Sequence, residues 1–413
     1  MSCFRFLHAA DIHLDSPLRG LGRYEGLPVD EIRGATRRAL DRLVETALER
    51  DVAFVILAGD LYDGTWQDVG TGLYMLRALS RLAQAGIRVI TLSGNHDAQS
   101  VIARELPLPE GIDHFPYDHP RTIVLEGLKV ALHGQSFRDR HVKKDMTAAY
   151  PAPLPGYFNI GVLHTSLSGY GEHETYAPCS IEALSAKGYD YWALGHVHAR
   201  QTVCEHPWVV FPGVLQGRHA RETGPCGAMM VAVEDRAVRS VDFVECDVVR
   251  WEHLTLPLDV VEDMDGLTVL LRRKMEALQD QAAGRTVVVR VILTGRTALH
   301  DRLCASVQWH DEIRGIAISL SGSAGQIAVE KIMDRTSPLR RPADQANTEE
   351  LDAALEGLLS DPEFLDGLPE AFETFLSALP ACVERDSLLD GDGKWPLEQA
   401  KTALRARLLG DIA

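Results

Sequence analysis

Five apolar residues, Phe54-Val-Ile-Leu-Ala58, run straight into Gly59-Asp60, and Asp63 follows three positions later. A short apolar run bounded by a turn signal reads as a buried strand, with the Gly as its tight exit and Asp60 presented at the strand's carboxyl end. Open α/β sheets build their sites at that end. A carboxylate there also serves as a turn residue or a helix N-cap, so this stretch alone leaves ligand and turn both open.

The arrangement recurs along the chain. Phe4 to Ala10 is strand-like and exits into Asp11-Ile12-His13. Ile32, Ala35, Ala39, Leu40, Leu43, Val44, Ala47 and Leu48 form one stripe that predicts a helix over 31–50. A second helix is predicted over 68–85, closed by Gly86, and then a strand over 89–92 that ends in Ser93-Gly94-Asn95-His96-Asp97. This much is β-α-β-α-β with a polar cluster at each strand exit. Residues 101–128 read as Pro-rich and irregular. Strands are predicted over 129–132, over 160–163 ending in His164, and over 191–194 ending in Gly195-His196-Val197-His198. A short helix over 180–187 has Ser180 as its N-cap and Gly188 as its stop. Near Val260 the pattern changes. A helix over 262–283, a strand over 286–293, a helix over 297–309 and a strand over 313–320 predict a small α/β domain. Residues 335–346, with Ser337-Pro-Leu-Arg-Arg-Pro342, read as a linker, and the Leu/Ala/Glu-rich remainder as several short acidic helices.

Five predicted strands therefore end in metal-ligand residue types: Asp11-x-His13, Asp60-x-x-Asp63, Asn95-His96-Asp97, His164 and His196-x-His198. Carboxylate, imidazole and amide oxygen make a mixed nitrogen/oxygen set, which suits Mn, Fe or Zn better than Ca or Mg. The ligands are too many for one ion, whereas two ions sharing a carboxylate use them all. Singly, each residue has a plainer reading: His164 as a hydrogen-bonded core histidine, Asp11 and His13 as turn residues, Asn95 as a left-handed position, Asp97 as an N-cap. Independent turn residues have no reason to occur in this order, so the set carries the signal.

Composition narrows the function classes. The chain has 413 residues, 46% hydrophobic and 24% charged, which is ordinary for a globular protein of two or three domains. No apolar run approaches the roughly 20 residues that span a bilayer, and the N-terminus lacks the regions of a signal peptide. The seven scattered cysteines fit a reducing cytoplasm and argue against a disulfide framework or a cysteine-based zinc site. The net charge of −17 argues against holding a polyanion by charge alone. Local basic groups are Arg19 and Arg23, the 138–144 loop with Arg138, Arg140, Lys143 and Lys144, and Arg218, His219 and Arg221 in a Gly-flanked loop, each of which also reads as solvated surface charge.

The ordered motifs resemble the calcineurin-like metallophosphoesterases. Leu7-His-Ala-Ala-Asp-Ile-His-Leu-Asp-Ser-Pro-Leu18 and Gly213-Val-Leu-Gln-Gly-Arg-His-Ala-Arg-Glu-Thr-Gly-Pro225 are similar to the SbcD-type DNA-repair exonucleases, in particular their YhaO-like branch. The resemblance implies a four-layer αββα metallophosphoesterase sandwich over 1–260, a small α/β capping domain that contacts DNA over 261–335, and a C-terminal helical region over 336–413. It implies two divalent ions, with Mn2+ expected. Asp11, His13, Asp60 and His198 would hold one, Asp60, Asn95, His164 and His196 the other, and Asp60 would bridge. His96 would stand over the phosphate and leaving group, with Asp63 placed to orient it. Apart from the resemblance, the place of Arg218 and Arg221 in a Gly-flanked loop after the last histidine motif leaves phosphate contact and plain solvated surface charge both open. The implied activity is DNA exonuclease or endonuclease action in repair, with an SbcC-like ABC-type ATPase as partner and a homodimer as a further possibility of the family. Gly64 and Asp97 depart from the phosphoprotein phosphatase pattern, whereas a phosphodiesterase for small nucleotides and a non-catalytic component of the ATPase complex stay open.

Overall fold

A computed structural model describes residues 3–16, 27–63, 69–99, 108–167, 177–322, 325–339, 345–362 and 364. In chain order the strands are β1 (Cys3–Ala9), β2 (Phe54–Ala58), β3 (Arg88–Leu92), β4 (Ile112–His114), β5 (Arg121–Leu125), β6 (Val130–Gly134), β7 (Phe158–His164), β8 (Tyr191–Gly195), β9 (Gln201–Glu205), β10 (Trp208–Phe211), β11 (Gly227–Glu234), β12 (Ala237–Glu245), β13 (Val249–Pro257), β14 (Thr286–Thr297) and β15 (Ile327–Pro338). Two sheets of six strands have the orders β12-β11-β1-β2-β3-β4 and β5-β6-β7-β8-β10-β9, and a third has β13-β14-β15. β1 through β4 are parallel to one another, as are β6, β7 and β8. Parallel strands all exit at one edge of their sheet.

The alternation of side chains along the strands dictates the layering. Phe4 and Phe6 of β1, with Phe54 and Ile56 of β2, pack against Ile160, Val162 and Tyr191 of the other sheet. Phe6 stacks on Phe54 at 4.8 Å and meets Tyr191 edge-on at 5.4 Å. The intervening residues, Leu7, Ala9, Val55 and Leu57, face the opposite way, onto Leu40, Leu43 and Val44 of the helix Ala35–Glu49 and Met75, Leu79 and Leu82 of the helix Val69–Gln84. On the far side of the second sheet, Leu163, Trp192 and Leu194 pack on Leu184 of the short helix Ile181–Ala186. The order is helix, sheet, sheet, helix. Burying each large apolar side chain between the layers is worth roughly 1.5–3 kcal/mol. His8 is a polar side chain within the sandwich. It is fully buried, with ring nitrogens 3.0 Å from Tyr191 Oη and 3.1 Å from the Leu194 carbonyl, so it ties one sheet to the other.

Several local expectations differ from the structure. The single helix over 31–50 is two, Val29–Arg33 and Ala35–Glu49, divided at Gly34. The irregular stretch 101–128 contains β4 and β5. Residues 313–320 are not a strand but part of the helix Gln308–Leu320, because Trp309, Ile313, Ile316 and Ala317 share one buried face while Ile318 is exposed. β15 runs through 335–338, into the expected linker. Of the C-terminal helical region, the helix Gln345–Leu359 is described and 365–413 lie outside the described residues.

The chain divides into two compact units. The first comprises Met1–His253, Leu278–Val289 and Ser321–Glu330, and contains both six-stranded sheets. The second comprises Leu254–Ala277, Arg290–Leu320 and Lys331–Ala413. Among the described residues no helix is long and apolar enough to cross a membrane.

Candidate metal centre at the strand exits

β1, β2 and β3 of one sheet and β7 and β8 of the other deliver every expected ligand to one place. Extended pairing continues past the strand ends: Asp11 N–H donates to the Gly59 carbonyl and His13 N–H to that of Asp60, both at 3.0 Å. Asp11, His13 and Asp60 then turn through left-handed backbone, with φ of 50°, 44° and 51°, and His196 lies at 100°. Left-handed non-glycine residues are uncommon and cost about 1–3 kcal/mol each, and they cluster at functional sites.

Asp60 is buried between two imidazoles. Its Oδ2 lies 3.4 Å from His164 Nε2 and 3.8 Å from His13 Nε2, while its Oδ1 accepts from the His96 backbone N–H at 2.9 Å. Asp11, His13 and His198 offer ligand atoms within 4.8 Å of one another, and so do Asp11, Asp60 and His164. Asn95 Oδ1 is 3.0 Å from His164 Nε2, and His164 Nδ1 is held 3.0 Å from the Ala58 carbonyl. Asp11 Oδ2 accepts from the His196 N–H at 2.9 Å, and the His196 and His164 rings meet edge-on at 5.2 Å. Neither ring nitrogen of the fully buried His13 makes a hydrogen bond. A buried polar atom left in that state costs about 1–3 kcal/mol, and a cation is the partner that neighbouring imidazoles and carboxylates could hold. The donor set thus fits divalent ions.

Residues 4–200 match the family model described as calcineurin-like phosphoesterase, and residues 251–337 the one described as metallophosphoesterase YhaO, middle domain. The chain is 33% identical over 294 residues to the uncharacterized metallophosphoesterase YhaO of Bacillus subtilis strain 168, covering 70% of this chain and 71% of that one. The chain belongs to the calcineurin-like metallophosphoesterases. One component of the nuclease SbcCD of Escherichia coli K12 is 24% identical over 326 residues, covering 68% of this chain and 72% of that relative. The DNA double-strand break repair protein Mre11 of Methanopyrus kandleri is 28% identical over 47% of this chain, which spans 44% of that relative.

In this metallophosphoesterase the second set of residues fixes the first. Asp63 Oδ1 is 2.9 Å from His96 Nδ1, and its Oδ2 accepts from Ser16 Oγ at 2.6 Å. Burial opposes the imidazolium of His96, but the hydrogen bond it donates to Asp63 and the carboxylates of Asp60, Asp63 and Asp97 win, so its pKa is raised. Burial likewise opposes protonation of His164, and the Asp60 carboxylate overcomes it, raising the pKa to about 9. Burial pushes His13 well below its ordinary value, helped by the Arg218 guanidinium.

Three contributors lie outside the expected ligand set. Glu222 Oε1 stands 2.8 Å from His198 Nδ1 while Oε2 accepts from the Arg218 N–H at 2.7 Å. Asp97 is more than an N-cap: its carboxylate accepts from Leu61, Tyr62 and Gly94 N–H groups at 3.1, 2.8 and 3.0 Å, clamping two strand exits together. Gly94 leaves room for the ligands, since a Cβ there would be driven into Asp60 Oδ1 and lie 2.8 Å from His164 Cε1. Arg218 reaches the centre, with Nη2 2.9 Å from Glu222 Oε1 and 3.4 Å from His198 Nδ1. Arg221 is exposed in the same loop. Arg138, Arg140, Lys143 and Lys144 are exposed, and Arg19 and Arg23 lie outside the described residues.

Proposed function

We propose that this metallophosphoesterase is a DNA nuclease that hydrolyses phosphodiester bonds at a two-ion centre. The reading rests on one observation above others: Asp60, the carboxylate expected to be shared, lies between His13 and His164 with Asp11 common to both neighbouring ligand groups. Asp11, His13, Asp60 and His198 would hold one ion, and Asp60, Asn95, His164 and His196 the other, with Mn2+ taken as the ion from among those the set suits. Bound divalent ions supply charge neutralisation at the phosphoryl oxygens and a hydroxide nucleophile at neutral pH. His96 is the proton donor to the leaving oxygen. Asp63 accepts from its Nδ1–H, which fixes the ring and favours the imidazolium, so Nε2–H is the proton given up. Arg218 and Arg221 meet the flanking phosphates.

DNA as substrate is supported by the names of the relatives, a nuclease component and double-strand break repair proteins. The net charge of −17 calls for help with a polyanion. We assign that help to the bound ions, to a capping domain over 261–335 and to an SbcC-like ATPase partner docked through 336–413, with 1–260 as the nuclease domain. The test is purified protein with Mn2+ on end-labelled duplex DNA and on a chromogenic phosphodiester, beside His96→Ala. The expected result is DNA cleavage that falls by roughly two to four orders of magnitude in the variant with both metals retained. Turnover of the small ester alone removes the nuclease reading.

A further inference from the structure

The second unit contains a cluster unrelated to the strand exits. His300 and Cys304 lie one turn apart on the helix His300–Ala305, and Asp334 and Thr336 lie on β15. Cys304 Sγ is 3.7 Å from His300 Nε2 and 3.8 Å from Asp334 Oδ2. The three ligand atoms fall within 4.8 Å of one another. Zinc–ligand bonds of about 2.0–2.3 Å at tetrahedral angles place any two ligand atoms about 3.3–3.8 Å apart. Both measured separations fall at or near that window. They are too long for strong hydrogen bonds among the three groups themselves.

Thr336 sets the direction of two of the three. Its hydroxyl donates to Asp334 Oδ1 at 2.7 Å, and its backbone N–H donates to the same oxygen at 2.9 Å. That leaves Oδ2 turned toward Cys304. The hydroxyl oxygen lies 2.9 Å from His300 Nδ1. Since its proton already goes to Asp334, it accepts from Nδ1–H. The imidazole is thereby held as the tautomer with a bare lone pair on Nε2; Sγ lies beside the ring, 3.7 Å from Nε2 and 3.9 Å from Nδ1, and the Cys304 side chain turns toward that lone pair when an ion binds. Metal-bound histidines are held in this way, their other N–H donated to an outer oxygen. His300 is buried, Cys304 half-buried and Asp334 exposed, so the fourth position faces solvent.

We propose that His300, Cys304 and Asp334 form a further metal site, distinct from the phosphoesterase centre, which takes a single zinc-like ion. One imidazole, one thiolate and one carboxylate with a water in fourth place is a zinc set. On binding, the Cys304 S–H proton leaves to solvent and the thiolate bonds to the ion. The ion joins a six-residue helix to a strand 30 positions further along the chain.

Cobalt reads this site apart from the other, because the expected ligands of the phosphoesterase centre include no cysteine and only a cobalt–thiolate bond gives intense near-ultraviolet charge-transfer absorption. The full chain, stripped with chelator, is titrated with Co2+. The expected result is one equivalent of thiolate-bound cobalt in the wild type and none in Cys304→Ser, with phosphoesterase activity unchanged as the check on folding. Thr336→Val keeps all three ligands and is expected to weaken that cobalt about 10- to 100-fold. No thiolate band in the wild type, a band that persists in Cys304→Ser, or unaltered affinity in Thr336→Val overturns the assignment.

Discussion

Replacing Asp63 by Asn separates two roles that this residue could play. Its Oδ1 is 2.9 Å from His96 Nδ1 but also 3.8 Å from His13 Nδ1, so a ligand role and an orienting role are both within reach. The second oxygen decides for orientation, since it is taken up by the Ser16 hydroxyl at 2.6 Å. Removing the charge from a hydrogen bond between ionised groups costs about 1.5–3 kcal/mol, or roughly 10- to 150-fold in rate. In Asp63→Asn the amide oxygen still accepts from His96, and Ser16 rotates to accept from the amide N–H, so a loss near 10-fold is expected. Asp63→Ala lacks any acceptor and belongs at the upper end. The pH profile moves as well. The carboxylate contributes to the raised pKa of His96, so without it the proton leaves at lower pH and the alkaline limb of activity shifts downward. The assay is turnover of a phosphodiester across pH, with metal content measured on the same samples. Loss of one ion from Asp63→Asn would show a ligand, and a rate loss without movement of the alkaline limb would refute the coupling to His96.

Glu222→Gln is expected to retain the fold and weaken metal affinity about 10- to 100-fold, because Glu222 orients His198; metal titration checks this, and wild-type affinity would contradict it. Gly94→Ala forces a methyl into Asp60 and is expected to cost about 1–3 kcal/mol in urea unfolding together with metal occupancy, whereas a variant with full occupancy would show that the loop yields. His8 makes stability depend on pH. Burial lowers its pKa from 6.5 to about 3, against the Leu194 carbonyl bond, so the unfolded chain takes up the proton first. Its contribution is complete above pH 6.5 and is lost progressively as pH falls toward 3, by about 2 kcal/mol at pH 5 and up to about 5 kcal/mol at the end. Unfolding at neutral pH and at pH 5, compared between the wild type and His8→Gln, isolates this share, and equal acid sensitivity in the two would rule it out.

The candidate site was far more legible than the periphery of the fold. An apolar run that stops at Gly59-Asp60 signals both a strand and what its end presents. The buried helix face of Trp309, Ile313, Ile316 and Ala317 was hidden by the alternation of Ile316, Ile318 and Leu320, which imitates a strand until Ile318 is seen to be exposed. β4 and β5 are short and sit among prolines, where local propensity says little and pairing to β3 and β6 decides. Glu222 carries a signal of its own. A ligating histidine needs an outer carboxylate, and Glu222 is the sole acid in the Gly213–Gly224 loop that follows His198. The His300, Cys304 and Asp334 cluster had no sequence signal, because its carboxylate comes from a strand 30 residues beyond the thiol.

The carboxylates at the strand exits explain why the motifs must occur together. Asp11 receives the His196 N–H, Asp60 receives the His96 N–H, and Asp97 receives those of Leu61 and Tyr62. Each acid therefore holds the backbone of a different exit, and Asp11 and Asp60 also offer oxygens to the centre. These bonds, with Asp11 and His13 pairing onto Gly59 and Asp60, over-determine the left-handed turns that would otherwise relax. Loss of Asp11 or Asp60 would disturb a neighbouring loop in addition to removing an expected ligand atom, whereas loss of Asp97 would disturb the loop alone. The centre is thus assembled by hydrogen bonds among its own loops. Ion binding then has little backbone ordering to offset, and under the proposed mechanism the binding free energy remains available to orient phosphate against His96.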